Sequence, residues 1–352
     1  YPARMRLFSE KIMDLIEKLE MCGRLSVEEY EILIKSQDDY FERAQRAALR
    51  VRKKIYKNHV YIRGLIEIGD CYYCGIRRSN TLCERYAMDT ETILKCCRMG
   101  YPIGFRTFVL QGGEGVMDVG MICDTVKRIK SEFSDCAVTL SIGELSRGEY
   151  LRLFDAGADR YLLRHETADK AHYQKLHPED MSFDNRMRCL SDLKRIGFQT
   201  GCGFMVGSPF QTAKTLAADL KFIEEFDPQM CGIGPFIPAK NTPFENEPPG
   251  SAETTAYLLS VIRIMKPNIL LPSTTALGTV SKDGRAMGIL SGANVVMPNL
   301  SPLCDRSKYS LYDNKASSGE EAAEGLEKLK IQMKKIGYEI VVSRGDIMKG
   351  SF

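Results

Sequence analysis

The chain has 352 residues, of which 44% are hydrophobic and 27% charged, a composition typical of a folded globular protein. Its 49 Lys and Arg against 46 Asp and Glu leave a net charge of +3, so charge gives no reason to expect nucleic acid or an anionic membrane as a partner. Apolar stretches fall short of the roughly 18 residues of a membrane span, and the first twenty residues have the pattern of an amphipathic helix rather than a signal peptide. We therefore expect a cytoplasmic protein.

Helical periodicity continues to about residue 57, and from there short β-branched runs alternate with helical segments. The eight runs begin at Val60, Phe105, Ala137, Arg160, Phe198, Met230, Asn268 and Ala293. Among the helices predicted between them, two follow Asp89 and Ser182, which suit helix N-caps. Eight β units separated by helices predict an α/β fold, a (β/α)8 barrel, with a doubly wound open sheet as the alternative. The predicted organisation is an N-terminal helical region, 1–57, followed by a barrel with a C-terminal helical segment, 58–352.

The carboxyl ends of these runs are unusually polar, and in a barrel those ends carry the chemistry. The fourth run contains Arg160, Arg164 and Glu166, which the alternation of a strand places on one side. Barrel interiors are normally filled with branched aliphatic side chains, so we interpret these three as a functional group that faces the lumen. The alternatives are that they pair only with one another, or that they face the helices.

Cysteine chemistry is indicated at one place in particular. Most of the 12 cysteines are scattered among apolar residues, as buried reduced thiols are, but Cys71 and Cys74 form a C-x-x-C directly after the first run. That spacing alone fits a thioredoxin-like redox pair, half of a zinc site or part of an iron–sulfur site. The sequence has no second C-x-x-C or paired histidines for zinc, and the barrel pattern disfavours thioredoxin. An edge of Gly112, Gly113 and Glu114 after the second run favours the iron–sulfur interpretation, because its backbone can approach a ligand and its carboxylate can accept from an ammonium group.

Seven segments together resemble the FeFe-hydrogenase maturase E family of radical S-adenosylmethionine (SAM) enzymes. They are CYYCGIRRSN, FRTFVLQGGE, TLSIGE, DRYLLRHET, GFMVGSPFQT, GIGPFIP and ANVVMPN, and the likeness extends over nearly the whole chain from about Val60 onward. The resemblance implies a 4Fe-4S cluster held by three Cys in a C-x3-C-x2-C loop, with SAM bound to the open iron and cleaved by one electron to methionine and a 5'-deoxyadenosyl radical. It also implies assembly of the hydrogenase active site, the H-cluster, from a small cysteine-containing iron carbonyl cyanide complex. The implied partners are an electron donor, a tyrosine-cleaving maturase and a GTPase scaffold.

The same resemblance assigns individual residues. Cys71 and Cys74 match the second and third cluster ligands. Positions that match the SAM pocket are Tyr73, Gly112, Gly113, Glu114, Ser141, Glu166, Arg186, Met205 and Tyr309. Positions that match a deeper, anion-binding part of the lumen are Arg63, Thr139, Arg160, Arg164, Met230, Thr274, Thr275 and Tyr312. A cationic, hydroxyl-lined lumen of this kind would suit a small anionic or organometallic substrate.

The cluster loop departs from the family pattern. The first ligand is expected four residues before Cys71, where the sequence has Glu67. Either the chain cannot hold a normal cluster, or the sequence lacks residues between Gly69 and Asp70. Because the other strand ends are intact, we favour the second interpretation, which predicts Cα atoms of Gly69 and Asp70 clearly further apart than the roughly 3.8 Å of a bonded pair.

Near the C-terminus some family members carry an auxiliary cluster in C-x7-C-x2-C. The corresponding positions here are Ser317, Gly325 and Lys328, so no second cluster is expected. Two other functions stay open at this point. One is a radical SAM enzyme acting on a small amino acid, like biotin synthase or methylornithine synthase, and the other is a barrel without a cluster that only binds a ligand.

Overall fold

The computed structural model describes residues 14–68, 87–113, 118–303 and 322–348. It begins with three helices, α1 (Leu15–Cys22), α2 (Val27–Lys35) and α3 (Gln37–Tyr56). These helices share one hydrophobic core with the barrel, and buried polar side chains also join the two parts. The Tyr30 hydroxyl donates to Glu224 at 2.8 Å, and the fully buried Arg52 guanidinium donates to the carbonyls of Ala293 and His59, both at 2.8 Å. The N-terminal helices are thus an integral layer on the barrel.

The remaining elements alternate between strands and helices. The strands are β1 (His59–Ile62), β2 (Gly64–Glu67), β3 (Thr107–Gln111), β4 (Ala137–Ser141), β5 (Arg160–Leu162), β6 (Gln199–Cys202), β7 (Met205–Val206), β8 (Met230–Cys231), β9 (Gly234–Pro235), β10 (Val295–Val296) and β11 (Glu339–Val341). The helices are α4 (Thr90–Gly100), α5 (Val119–Glu132), α6 (Arg147–Asp155), α7 (Lys170–Leu176), α8 (Phe183–Ile196), α9 (Ala213–Phe226), α10 (Ala252–Met265), α11 (Thr275–Val280), α12 (Gly284–Ile289) and α13 (Ala322–Lys335). Within the described ranges, every helix is too short or too polar to cross a membrane.

The eight predicted runs pair in chain order and close into a parallel barrel. Six of them form the sheet β2-β3-β4-β5-β6-β8, and β1, which continues into β2, pairs with β10. Isolated parallel bridges complete the ring: they join Met230 to Leu270, Pro272 to Val295, and Leu65 to Asn299. The (β/α)8 prediction is therefore confirmed, and the open-sheet alternative is excluded because the first and eighth runs are neighbours.

Local sequence signals explain most element boundaries. The Asp89 and Ser182 side chains accept from the backbone N–H groups of Thr92 at 2.7 Å and Asn185 at 3.3 Å, as expected of N-caps. The seventh run differs from its prediction, since among the described residues it contributes only isolated bridges; Pro272 removes a backbone donor from its middle. The short elements α7, α11 and β11 were not predicted, because segments of three to seven residues carry little periodicity.

The C-terminal segment closes the amino end of the barrel. Strand β11 pairs with β1, and the residues after it reach Arg160, the first residue of β5. The fully buried Arg160 guanidinium donates to the side chains of Gln199 at 3.1 Å and Thr107 at 3.0 Å and to the carbonyl of Arg344 at 3.0 Å, and it forms an ion pair with Asp346. The tail therefore neutralises a buried charge that would otherwise be costly.

We expect Asp346→Ala to lower the free energy of unfolding by about 2 kcal/mol, because the substitution leaves the buried Arg160 guanidinium without its carboxylate. Urea denaturation measures the change. Asp135→Ala is the matched control, since its half-exposed carboxylate pairs with Arg106 at the surface and should contribute less than about 0.5 kcal/mol. Equally small effects in both variants would contradict the role given to the tail.

The same ion pair has a defined pH dependence. Burial by itself would raise the pKa of Asp346, but the charges of Arg160 and Arg344 outweigh it and hold that pKa below its ordinary value of 3.8. Because the folded-state pKa is depressed, the stabilisation is fully present above the ordinary value and is lost as the pH falls through the lowered one.

Candidate active site at the carboxyl end of the barrel

The glycine edge after β3 lies beside the end of β4. The Gly112 N–H donates to the Ser141 carbonyl at 3.0 Å, and Gly113 is buried. On the other side, the Ile68 N–H donates to the Gln111 carbonyl at 2.8 Å, which continues the pairing of β2 with β3. Gly112, Gly113 and Ser141, predicted to line one pocket, are therefore neighbours at the carboxyl ends of adjacent strands.

Arg164 and Glu166 follow β5 at the same end. The Arg164 Nη2 atom lies 3.0 Å from Glu166 Oε2, while its buried Nε atom has no hydrogen-bond partner among the described residues. Glu166 has a left-handed backbone, with φ of 64°, and forms a parallel bridge with Phe204. Since Met205 follows Phe204 directly, Glu166 and Met205 lie on adjacent runs. The pairing of Arg164 with Glu166, which the sequence left open as the alternative to a functional role, is present, and it leaves the Arg164 Nε atom without a partner among the described residues.

A second ion pair flanks the site on α8. Arg186, in the first turn of the helix and 3% exposed, places its Nε atom 2.7 Å from Glu144 Oε1, and Asn185 donates to the other Glu144 oxygen at 2.5 Å. Glu144 was not among the predicted site residues, although it stands in the TLSIGE segment just after the third run. The structure thus shows that Arg186 is a buried, paired cation rather than a surface charge.

His177 is a further titratable group near these carboxylates. Its Nδ1–H donates to the Tyr173 carbonyl at 2.8 Å, and its ring stacks on the Tyr173 ring with centroids 3.7 Å apart. Burial lowers the pKa of His177 to about 4, although the Tyr173 carbonyl and the Glu166 carboxylate favour the protonated ring. No local pattern in the sequence indicates His177, because α7 and the loop after it are defined by tertiary packing.

The deeper lumen contains a buried cation that lacks an anion. Arg63 lies between β1 and β2, is 5% exposed, and donates through Nη1 to the Met230 sulfur at 3.1 Å. Its Nε and Nη2 atoms have no partner among the described residues, and neither does the buried Thr139 hydroxyl. Burial and the nearby charge of Arg160 hold the pKa of Arg63 well below its ordinary value, with Asp346 opposing. This donor set fits a small anion.

Three predicted substrate residues have other contacts. Arg160 lies at the amino end of β5 and is bound to the tail, so the structure does not bring it to the carboxyl end beside Arg164. The Thr274 hydroxyl caps α11, where it accepts from the Leu277 N–H at 3.4 Å. Thr275 is the first residue of that helix. A role of these three side chains in substrate binding stays a prediction.

Several predictions fall outside the described residues. They concern Cys71, Tyr73, Cys74, Glu114, Tyr309, Tyr312 and Ser317, together with the distance between Gly69 and Asp70. Glu67, by contrast, lies inside β2 and is fully buried, and its carboxylate accepts from the Asn299 amide at 2.8 Å. The residue at the expected position of the first cluster ligand is therefore a strand residue with a structural partner. In the part of the chain that the structure describes, no group of three or more His, Cys, Asp or Glu is placed to hold a metal ion.

Comparison with known proteins defines the class. Residues 68–223 match the Radical SAM superfamily. The fold is similar to the crystal structure of methylornithine synthase (PylB), with a TM-score of 0.79 and 23% identity over 93% of this chain and 97% of that one. It is also similar to the crystal structure of HydG, a maturase of the FeFe hydrogenase, with a TM-score of 0.76 and 19% identity over 96% of this chain and 77% of that one. The chain is a radical SAM enzyme with a (β/α)8 barrel.

A curated relative defines the family more narrowly. The FeFe hydrogenase maturase subunit HydE of Thermotoga maritima is 42% identical over 308 residues, which cover 86% of this chain and 88% of the relative. This chain belongs to the HydE family, and its role lies in FeFe hydrogenase maturation. The cofactors of the superfamily, a 4Fe-4S cluster and SAM, are those that the sequence predicted.

His177 should make the protein sensitive to mild acid. Its folded-state pKa of about 4 lies below the ordinary value of 6.5, so the unfolded chain binds the proton more readily and stability falls as the pH drops through this interval. We expect His177 to lower the free energy of unfolding by about 2 kcal/mol between neutral pH and about pH 5. His177→Gln should remove that difference between urea denaturation curves at the two pH values, and an unchanged difference would contradict the assignment.

Proposed function

We propose that this protein acts on a small, anionic, cysteine-containing iron carbonyl cyanide complex during assembly of the FeFe hydrogenase active site. The observation that carries the proposal is the buried Arg63 guanidinium, which has two nitrogens without a partner among the described residues, in a lumen that also contains the unpartnered Thr139 hydroxyl. An anion that entered this space would satisfy both groups and offset the cost of the buried charge.

The cofactor site lies nearer the carboxyl end. When bound, the cluster supplies the electron that cleaves SAM to methionine and a 5'-deoxyadenosyl radical. The backbone at Gly112 and Gly113 suits the methionyl end of SAM, because the absence of a side chain lets a ligand approach the chain closely. The Glu166 carboxylate, only 8% exposed, suits hydroxyl groups as an acceptor. These roles follow the family resemblance and the position of the residues at neighbouring strand ends.

Substrate would bind below SAM, between Arg164 and Arg63. Arg164 is one-third exposed at the carboxyl end and retains an unpartnered Nε atom, while Arg63 is almost fully buried. Met230 lies against Arg63 and closes that side of the space. A ligand with anionic groups at its ends and an uncharged body fits this arrangement of two cations, a hydroxyl and a thioether.

A cluster of the family type needs a third thiolate, from the first ligand of the motif, in addition to Cys71 and Cys74. The motif in this sequence supplies only those two cysteines, and Glu67, at the position of the first ligand, lies in β2 and accepts a hydrogen bond from Asn299. We propose that the coding sequence contains further residues between Gly69 and Asp70, including the first ligand. Sequencing the gene across this junction, with the iron and sulfide content per chain, tests the proposal. A continuous junction and an empty site would favour a ligand-binding barrel without a cluster.

The proposed partners are an electron donor, a tyrosine-cleaving radical SAM maturase and a GTPase scaffold. Activation of apo-hydrogenase in a mixture of purified maturases tests these partners. Activation that requires this protein together with the other two maturases supports the proposal, and equal activation when either of the other two is left out would contradict it.

Cys74→Ser should abolish both cluster binding and SAM cleavage, since a serine does not normally replace a thiolate on iron. Reconstitution with iron and sulfide, followed by measurement of bound iron, visible absorption and 5'-deoxyadenosine under a reductant, checks this expectation. Cys22→Ser is the control, because Cys22 is exposed at the end of α1. Full iron content and normal 5'-deoxyadenosine production by Cys74→Ser would contradict the cluster assignment.

Replacing either Arg164 or Arg63 should weaken anion binding in the lumen without loss of the cluster. For Arg164→Leu and for Arg63→Met we expect the dissociation constant of nitrate, a small planar monoanion, to rise at least about tenfold, because each removes a charge-assisted bond of roughly 1.5 to 3 kcal/mol. Titration calorimetry measures it. Arg188→Leu on the outer face of α8 is the control. Unchanged nitrate affinity in both lumen variants would show that the anion site lies elsewhere.

A further inference from the structure

A histidine and an aspartate are fully buried behind the strand end that carries Glu166. His165 follows Arg164, Asp219 lies in α9, and neither side chain is exposed. The His165 Nε2 atom is 3.5 Å from Asp219 Oδ1, and the His165 ring packs against Phe204 and Phe222, with centroids 5.7 and 4.6 Å away. Burial raises the pKa of Asp219, which His165 partly offsets. Burial of a carboxylate costs free energy, so a pair that only filled space would be better replaced by apolar side chains.

The two side chains hold backbone N–H groups on two different runs of the barrel. The His165 Nδ1 atom accepts from the Gly203 N–H at 3.2 Å, and Asp219 accepts from the Ala168 N–H at 2.6 Å. Because Nδ1 accepts, the proton of the neutral ring is on Nε2, which faces Asp219. The contact between Asp219 and the His165 ring and the hydrogen bond from the Gly203 N–H to that ring together join α9 to Gly203. We call these two contacts the clamp.

Gly203 is held from both sides at the point where this run changes its pairing. Its carbonyl accepts from the Glu166 N–H at 3.0 Å, while its N–H donates to the His165 ring. A Cβ atom at Gly203 would lie 2.0 Å from the Gly232 carbonyl oxygen, and its φ of +155° also favours glycine. Strand β6 ends just before Gly203, and β7 begins at Met205 just after it. The clamp therefore fixes the bend that separates them.

Glu166 needs such support, since a left-handed backbone is strained in a residue with a side chain. A conformation of this kind, here with φ of 64°, is strained and persists only where the surroundings enforce it. Glu166 itself donates to the Gly203 carbonyl, and the residues on either side of it are also held: His165 accepts from the Gly203 N–H, and the Ala168 N–H donates to Asp219.

We propose that His165 and Asp219 are positioning residues for SAM: through Gly203 they fix Glu166 and Met205, on two neighbouring runs, in the relative placement that the SAM pocket requires. The proposal rests on the proposed function, which places Glu166 and Met205 beside SAM. Neither His165 nor Asp219 touches the cofactor in this scheme. Their contribution is geometric, through the backbone of the two runs.

Two substitutions at His165 separate a positioning role from general stability. His165→Asn keeps an acceptor where Nδ1 stood and should retain SAM affinity. His165→Gln keeps an amide donor for Asp219 but has no acceptor facing Gly203, and its dissociation constant for SAM should rise about tenfold, the equivalent of one hydrogen bond. Both variants keep a polar group in the buried site, which favours folding.

The measurement is titration calorimetry of SAM into the reconstituted enzyme, with bound iron and the thermal midpoint recorded for each protein. Tyr30→Phe is the control: it removes a hydrogen bond to Glu224 on the same helix α9 and should lower the thermal midpoint without changing SAM affinity. Weakened SAM binding by His165→Gln at normal iron content, with affinity retained by His165→Asn, supports the proposal.

Equal SAM affinity in His165→Gln and the wild-type protein would overturn the positioning role, whatever the change in thermal midpoint. Equal loss of affinity in Tyr30→Phe would overturn it too, because general destabilisation would then account for the effect. Failure of the wild-type protein itself to bind SAM is a different result, since it would overturn the proposed function on which this inference rests.

Discussion

Two buried guanidinium groups set the electrostatics of the barrel interior. Arg160 and Arg63 project into a space that most barrels fill with aliphatic side chains, and the charge of Arg160 lowers the pKa of Arg63. Asp346, in the C-terminal tail, neutralises Arg160. Arg63 has no anion beside it among the described residues. The lumen therefore has a neutralised amino end and a cationic middle. A small anionic ligand would supply the partner that Arg63 lacks, as the proposed function requires.

The carboxyl end of the barrel is organised differently, by paired charges and constrained backbone. Arg164 pairs with Glu166 and Arg186 pairs with Glu144, and the buried Arg164 Nε atom has no partner among the described residues. The His165–Asp219 clamp supports the strained Glu166 from outside the lumen. Glu166, which would contact the cofactor, is thus held by His165 and Asp219, which would not. Such support keeps the binding atoms in place before the ligand arrives.

Membership of the HydE family and the lumen chemistry point in the same direction by independent routes. The family follows from 42% identity with the Thermotoga maritima maturase, whereas the unsatisfied Arg63 follows from burial and hydrogen bonding in this chain alone. The solved structures of PylB and HydG agree on the fold but differ in the chemistry their titles give, so the fold does not select the substrate. In the proposed function, the lumen residues select it.

The sequence by itself determined the barrel, because eight apolar runs separated by amphipathic helices and N-caps such as Asp89 and Ser182 are local patterns. It also placed Arg164, Glu166 and the glycine edge together, since strand alternation and the carboxyl-end rule need no long-range information. Only the tertiary structure decided that Arg160 belongs to the tail and that His165 reaches Asp219, 54 positions along the chain. Partners so distant in sequence are chosen by how the elements pack, and no local periodicity records that choice.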